Sequence, residues 1–260
     1  MKFLNKSIYK TFEYLFDELA EYYQFLYPNI GELNFNIAKE LDSKILKPIK
    51  ARKILDCTCG IGLLAIELSK LGYEVAGSDI SNRMLENAVD NANKAGTKVK
   101  FVHSNILNLS KNIEEKFDVV ICKGNSFSNI NPEAFEEALE NISSVLNKNG
   151  ICYIDIRNHE EVIKQKPLFE HRSHVRLNSK DVVCFYIFDY KENLRTYNTF
   201  FVFYDRKTNT ISHKLISIDG FFVFKKDLIR AFEKAGFKDI KKIKFDSESK
   251  DVDIYVGKKI

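Results

Sequence analysis

"CTCGIG", residues 57–62, separates a short apolar run, KILD (53–56), from LLAIELSK (63–70), which has the composition of a helix. A strand, a glycine turn and a helix in that order build a tight loop at the end of a strand. Glycine at Gly60 and Gly62 opens backbone conformations closed to other residues and leaves room for a ligand against the main chain. What the turn holds must be decided by the residues downstream.

Around this unit the chain alternates. KILD (53–56), YEVAGSD (73–79), VKFVH (99–103), FDVVIC (117–122) and ICYIDI (151–156) read as strands, and helical patterns cover 63–71, 82–95 and 132–147. Such alternation predicts a parallel sheet with right-handed crossovers and helices on both faces. Residues 7–47 read as helices, interrupted at PNIG (28–31). From 171 to 223 the pattern becomes β-rich: VVCFYIFD (182–189), TFFVFY (199–204) and HKLISID (213–219), separated by KEN and RKTN, predict an inserted antiparallel meander. A helix near 226–236 and strands at 240–245 and 252–256 complete an α/β, Rossmann-like seven-stranded sheet. The expected organisation is a helical lid over 1–50, a core over 51–170 and 224–260, and the meander over 171–223.

The 260 residues suit one well-cored α/β domain, and 45% hydrophobic content is ordinary for a globular chain. No run approaches the ~20 apolar residues of a membrane helix, and the first residues lack a signal peptide's apolar stretch, so a soluble, cytoplasmic protein is expected. Forty basic against 36 acidic side chains give a net charge of +4, a mixed surface that argues against nucleic-acid binding. The five cysteines form no C-x-x-C pair and read as free buried thiols; no metal site is expected.

Gly60-Ile-Gly62-x-x-Ala65 formally satisfies a dinucleotide fingerprint, and Asp79 follows at the distance of a ribose-binding carboxylate. Phosphate, a nicotinamide dinucleotide and S-adenosylmethionine are all candidates. Asp56, ending the first strand, weighs against a pyrophosphate, because an anion beside the turn repels it and favours a ligand with an amino group. Asn105 and Ile106, after the third strand, offer an amide and an apolar side chain to an adenine edge.

This set of motifs resembles the class I S-adenosylmethionine-dependent methyltransferases. The resemblance rests on ILDCTCGIG (54–62), DISNRM (79–84) and Asn105-Ile106. It implies that Asp56, Thr58, Cys59, Gly60 and Gly62 surround the methionine portion of S-adenosylmethionine. Asp79 would hold the ribose hydroxyls, and Ile80, Met84, Asn105 and Ile106 would border the adenine. VICKGNSF (120–127) and DIRN (155–158) look like the corresponding stretches of glycine and sarcosine N-methyltransferases. By that resemblance Lys123 and Gly124 lie along the cofactor through their backbone, Asn125 faces the substrate amine, Arg157 clamps the substrate carboxylate, and Tyr22 and Tyr23 close over the site. The reaction implied is methylation of the amine of a small carboxylate-bearing acceptor, with S-adenosylhomocysteine as product.

Competing readings have their own residues. RSHVR (172–176) is the basic element a larger RNA or protein acceptor would need, and an oxidoreductase fits only the glycine turn. His103 and His159 are candidate bases by residue type. His171 and His174 should lie on opposite strand faces. The phenylalanine-rich TFFVFY (199–204) and GFFVF (220–224) suit core packing or a homo-oligomer interface in the meander.

Overall fold

The computed structural model describes residues 12–260; the helical reading of residues 7–11 lies outside them. Helices α1 (12–20), α2 (Tyr23–Leu26) and α3 (Ile30–Leu41) come first, α3 continuing as a wider helical turn through Leu46. There follow β1 (Lys53–Asp56), α4 (Leu63–Lys70), β2 (Glu74–Asp79), α5 (Asn82–Ala95), β3 (Lys100–His103), α6 (Leu109–Asn112), β4 (Phe117–Cys122), α7 (Phe135–Val145) and β5 (Leu146–Arg157). Next come α8 (His159–Gln165), β6 (Phe169–Arg176), β7 (Lys180–Tyr190), β8 (Leu194–Asp205), β9 (Thr210–Phe221), α9 (Lys225–Lys234), β10 (Phe237–Ile243) and β11 (Val252–Lys259).

The main sheet has the order β10-β11-β5-β4-β1-β2-β3, and β11 runs antiparallel to both its neighbours. Strand β1 pairs in parallel with β2 on one side and β4 on the other, so the chain reverses its direction of progress across the sheet at β1. Ligand crevices form at the carboxyl ends of strands at such a switch point.

The strands are apolar on both faces because both faces are covered. In β4, Val119 and Ile121 join α3 and α4 in one core, whereas Val120 and Cys122 join α7 and α9 in the other. Residues 12–46 therefore do not act as one lid. Ile37, Ala38 and Leu41 of α3 bury themselves against Ile54 and Leu64 of the main sheet layer. Phe12, Leu19 and Ala20 of α1 and Leu26 of α2 instead join a third core, with Met84 and the inner face of the meander.

The meander is a separate four-stranded antiparallel sheet, β6-β7-β8-β9. It gains β6, which alternation alone did not reveal because a β-bulge between His171 and Ser173 breaks the period of two. The bulge also overturns the expectation for the two histidines. His171 pairs with Phe185 and His174 with Val183, so both lie on the outer face, and both are exposed. Inward, Val182, Cys184, Tyr186, Phe188 and Phe201 are buried; outward, Phe185 and Phe200 stack with ring centroids 5.1 Å apart. The phenylalanine run is thus divided between core and outer face. Among the described residues, no helix is long and apolar enough to cross a membrane.

Candidate functional site: a crevice at the ends of β1, β2 and β4

The turn after β1 crosses the sheet. Cys57 N–H donates to Ile121 O of β4 at 2.8 Å, and Cys59 N–H donates to Ser78 O of β2 at 2.9 Å. Gly60 then takes a left-handed φ of +52° and donates its N–H to Asp79 Oδ2 at 2.8 Å. A side chain at Gly60 would meet nothing within 4 Å, because this side of the turn faces open space. Gly62 differs. At φ +78°, a Cβ there would lie 2.8 Å from Ala88 Cβ and 2.9 Å from Phe101 Cζ. Its role is close packing of α4 on the neighbouring layer, not ligand contact, which corrects the reading of both glycines as ligand-facing.

Asp79 ends β2, its two oxygens taking the N–H groups of Gly60 and of Ser81, the latter at 3.0 Å. Burial raises its pKa, so a ligand that donates hydrogen bonds to the charged form would restore lost solvation. Thr58 ties the first loop to the fourth: Lys123 N–H donates to Thr58 Oγ1, which donates to Lys123 O, each at 3.2 Å. Beyond lie Gly124 at φ +85° and Asn125 at φ +60°, two consecutive left-handed residues that turn the chain sharply after β4.

These strand ends border a cavity of about 160 Å³. Of the residues expected at the cofactor, Thr58, Gly60, Asp79, Ile80, Met84, Asn105, Ile106, Lys123 and Gly124 line it, and Tyr23 closes it from α2. Asn105 Oδ1 is taken by Leu107 N–H at 3.0 Å, which leaves its amide NH₂ free of bonds among the described residues. Phe12, Phe16, Cys57 and Ser126 also line the space and were not anticipated. Phe12 and Phe16, one helical turn apart, read from sequence only as an apolar helix face.

Six expected contacts do not reach the cavity wall: Gly62 and Arg157 lie behind it, and so do four others. Tyr22 packs on the meander, its ring 5.1 Å from that of Phe201. Cys59 is buried beneath the turn. Asp56 is buried behind Thr58, whose N–H it accepts at 3.4 Å, and burial pushes its pKa up to about 7. Asn125 is held within the protein: its Oδ1 accepts Arg157 N–H at 2.9 Å and its Nδ2 donates to Ser128 Oγ at 2.9 Å. It braces the β4 and β5 ends rather than presenting a free amide to an amine.

Lys123 carries its charge away from the crevice, to Glu248 Oε1 at 2.9 Å and Asp155 Oδ2 at 3.7 Å. Together with Asp56 this makes three buried carboxylates around one lysine, a negative field at the ends of β1, β4 and β5. Glu248 comes from the β10–β11 loop, too far along the chain for local patterns to connect with the glycine turn.

Arg157, at the end of β5, lies 3.6 Å from Glu170 Oε2. The tyrosines nearby form a path from the cavity. Tyr23 and Tyr27 rings are 5.1 Å apart, the Tyr27 and Tyr186 hydroxyls 3.3 Å, and the Tyr186 and Tyr197 rings 5.6 Å. Arg172 does not form a basic surface, for its guanidinium stacks 5.0 Å from the Tyr27 ring and pairs with Glu170; Arg176 pairs with Asp181. Neither histidine named as a base is free for that work. His103 Nε2 donates to Ile80 O at 2.7 Å, and buried His159, held down to about 4 chiefly by burial, accepts Val223 N–H at its Nδ1.

Residues 54–150 match the family described as a methyltransferase domain. An uncharacterized protein of Haemophilus influenzae is 31% identical over 208 residues, covering 77% of this chain and 79% of that one. The fold matches that of Streptomyces venezuelae DesVI with a TM-score of 0.76 over 93% of this chain and 98% of that one, at 16% identity. The chain carries a methyltransferase domain of the class I S-adenosylmethionine-dependent kind. Within this class it is similar to the glycine/sarcosine N-methyltransferase of Aphanothece halophytica, at 36% identity over 123 residues, 47% of this chain. The chain spans about half the length of the named N-methyltransferases it matches (44–48%). The strand order places the crevice of this domain at the β1/β4 switch point.

Proposed function

We propose that the protein transfers a methyl group from S-adenosylmethionine to the amine of a small acceptor that bears a carboxylate, glycine- or sarcosine-like at its reacting end. The observation that carries this reading is the position of Arg157, at the carboxyl end of β5 behind the cavity wall, its N–H held by Asn125 between the lining residues Gly124 and Ser126.

The residues fit the cofactor. Asp79 keeps unused lone pairs for two ribose hydroxyls, and Ile80, Met84 and Ile106 give an apolar wall for a base. Open space at Gly60 admits the ligand's middle portion against the main chain. The carboxylates of Asp56, Asp155 and Glu248 lie behind the cavity wall, and their field, partly offset by Lys123, favours an α-ammonium group without touching it. Bound there, S-adenosylmethionine supplies an electrophilic methyl that passes to a neutral amine, the S–C electron pair remaining on sulfur.

The chain's own part is alignment. Arg157 offers a planar fork to the acceptor carboxylate, with Glu170 setting its orientation. Tyr23, its phenol driven well above its ordinary pKa by burial and by Tyr27, stays neutral and can accept a hydrogen bond from the amine. Phe12, Phe16 and Tyr23 exclude water from that side of the crevice. Calorimetric titration with S-adenosylhomocysteine, followed by methyl transfer to a panel of amino acids, RNA and protein, tests the reading. Amino-acid turnover supports it, and turnover of RNA or protein alone rejects it.

A further inference from the structure

Three guanidinium groups lie among Tyr186, Tyr197 and Tyr27 on the inner side of the meander, with one carboxylate to pair with them. Arg157 comes from β5, Arg172 from β6 and Arg195 from β8. Glu170 is their one carboxylate partner among the described residues: its Oε1 lies 2.5 Å from Arg172 Nη1 and its Oε2 3.6 Å from Arg157 Nη1. Arg195 is 2% exposed. It donates from Nη2 to Tyr197 Oη at 2.5 Å and lies 4.2 Å over the Phe188 ring and 4.4 Å over the Tyr197 ring. The Nε atoms of both Arg172 and Arg195 are buried with no hydrogen-bond partner.

Two positive charges are therefore in excess, Arg195 fully buried and the other half-buried, with two donors unused. Aromatic faces offset part of the cost of burying a guanidinium, but they do not satisfy its N–H groups. Packing alone gives no reason for such an arrangement, since an apolar side chain would fill the same space without the penalty. The backbone also invests in it. The β6 bulge inserts Arg172 as the extra residue between His171, which faces outward, and Ser173, which faces inward. It turns Arg172 in, over the Tyr27 and Tyr186 rings. Bulges beside active sites commonly re-aim one side chain in this way.

Resting on the methyl-transfer reading above, we infer that the acceptor is an α-amino acid carrying a second anionic group on its side chain, a carboxylate or a phosphate. Arg157 takes the α-carboxylate, and Arg172 and Arg195 take the second anion. Neutral glycine-like acceptors leave the two added charges uncompensated and should be poorer substrates.

The full chain with saturating S-adenosylmethionine is assayed with aspartate, glutamate and phosphoserine against asparagine, glutamine and serine. Each acid should exceed its neutral counterpart by about tenfold or more in kcat/KM, the scale of a charge-assisted contact at a buried site. Comparing the carboxylates with the phosphate identifies the anion. Arg195→Gln and Arg172→Gln should collapse the acid-to-neutral ratio toward one, and Arg195→Lys should restore part of it. S-adenosylhomocysteine affinity, measured on every variant, verifies that the fold survives. Acids no better than their neutral counterparts, or a ratio unmoved by Arg195→Gln, would overturn the inference. Failure of every amino acid to accept a methyl group would reject the transfer reading itself. The product-loaded protein is then titrated with succinate and succinamide. Succinate-selective binding that Arg195→Gln abolishes still supports the second anion site, and unselective binding overturns it.

Discussion

Gly60 and Asp79 are joined by a 2.8 Å hydrogen bond from the glycine N–H to the carboxylate Oδ2, so one side chain fastens the turn after β1 and faces the crevice. Asp79→Ala should weaken S-adenosylhomocysteine binding by about 1.5–3 kcal/mol, the scale of hydrogen bonds to a charged group. Calorimetry gives the answer directly. A change below about 0.5 kcal/mol would remove the ribose contact from the account.

The two glycines of the turn should separate stability from binding. Gly62→Ala combines a strained φ of +78° with contacts of 2.8–2.9 Å to Ala88 and Phe101, and should destabilise the fold by about 2–5 kcal/mol. Gly60→Ala meets no neighbour and should cost only about 1–2 kcal/mol of stability from its backbone, yet it intrudes where the cofactor passes. Denaturant unfolding and product titration of both variants test this. A Gly60→Ala protein with full affinity would show that the turn does not touch the ligand.

Much of the crevice could be read from sequence because its residues sit at strand ends within local motifs. Gly60, Asp79, Asn105 and Lys123 each follow an apolar run by a fixed, short distance. The acceptor side was less legible. Tyr27 follows α2, Glu170 and Arg172 lie in β6 and Arg195 in β8, and only strand register and a bulge bring them to one side of the meander. Asn125 was located but its task was misread, since nothing local indicates that its amide is taken by Arg157 and Ser128. Tyr22 and Tyr23, adjacent in sequence, both pack on the third core, yet Tyr23 alone borders the cavity while Tyr22 meets Phe201 of the meander.

Cofactor affinity should depend on pH through Asp56. Burial raises its carboxyl to about 7 in the folded protein, above the ordinary carboxylate range. Its ionisation therefore lowers fold stability progressively as pH rises from about 4 through 7. A ligand ammonium favours the ionised form, so affinity should increase from pH 6 to pH 8 by up to about tenfold per pH unit. Asp56→Asn should flatten the profile. An identical slope in the variant would assign the titration to another group.

The N-terminal helices should respond to cofactor in two parts. Asp17 of α1 accepts hydrogen bonds from Ser81 Oγ at 2.6 Å and Arg83 N–H at 3.1 Å at the start of α5, and Phe12 and Phe16 border the cavity. α3 instead packs on the main sheet layer. Hydrogen exchange over residues 12–27 should slow on S-adenosylhomocysteine binding, while residues 30–41 stay unchanged. Equal protection of both segments would contradict a separate lid.

The central claim is that Arg157 reads the carboxylate of an amine that receives the methyl group. It is tested most directly by following methyl transfer from S-adenosylmethionine to an amino acid and to its methyl ester, with the wild type and with Arg157→Lys. Turnover of the free amino acid and about tenfold or greater loss with the ester are expected. Arg157→Lys should raise KM by a similar factor, at unchanged S-adenosylhomocysteine affinity. Equal turnover of acid and ester, or a variant indistinguishable from wild type, would contradict it.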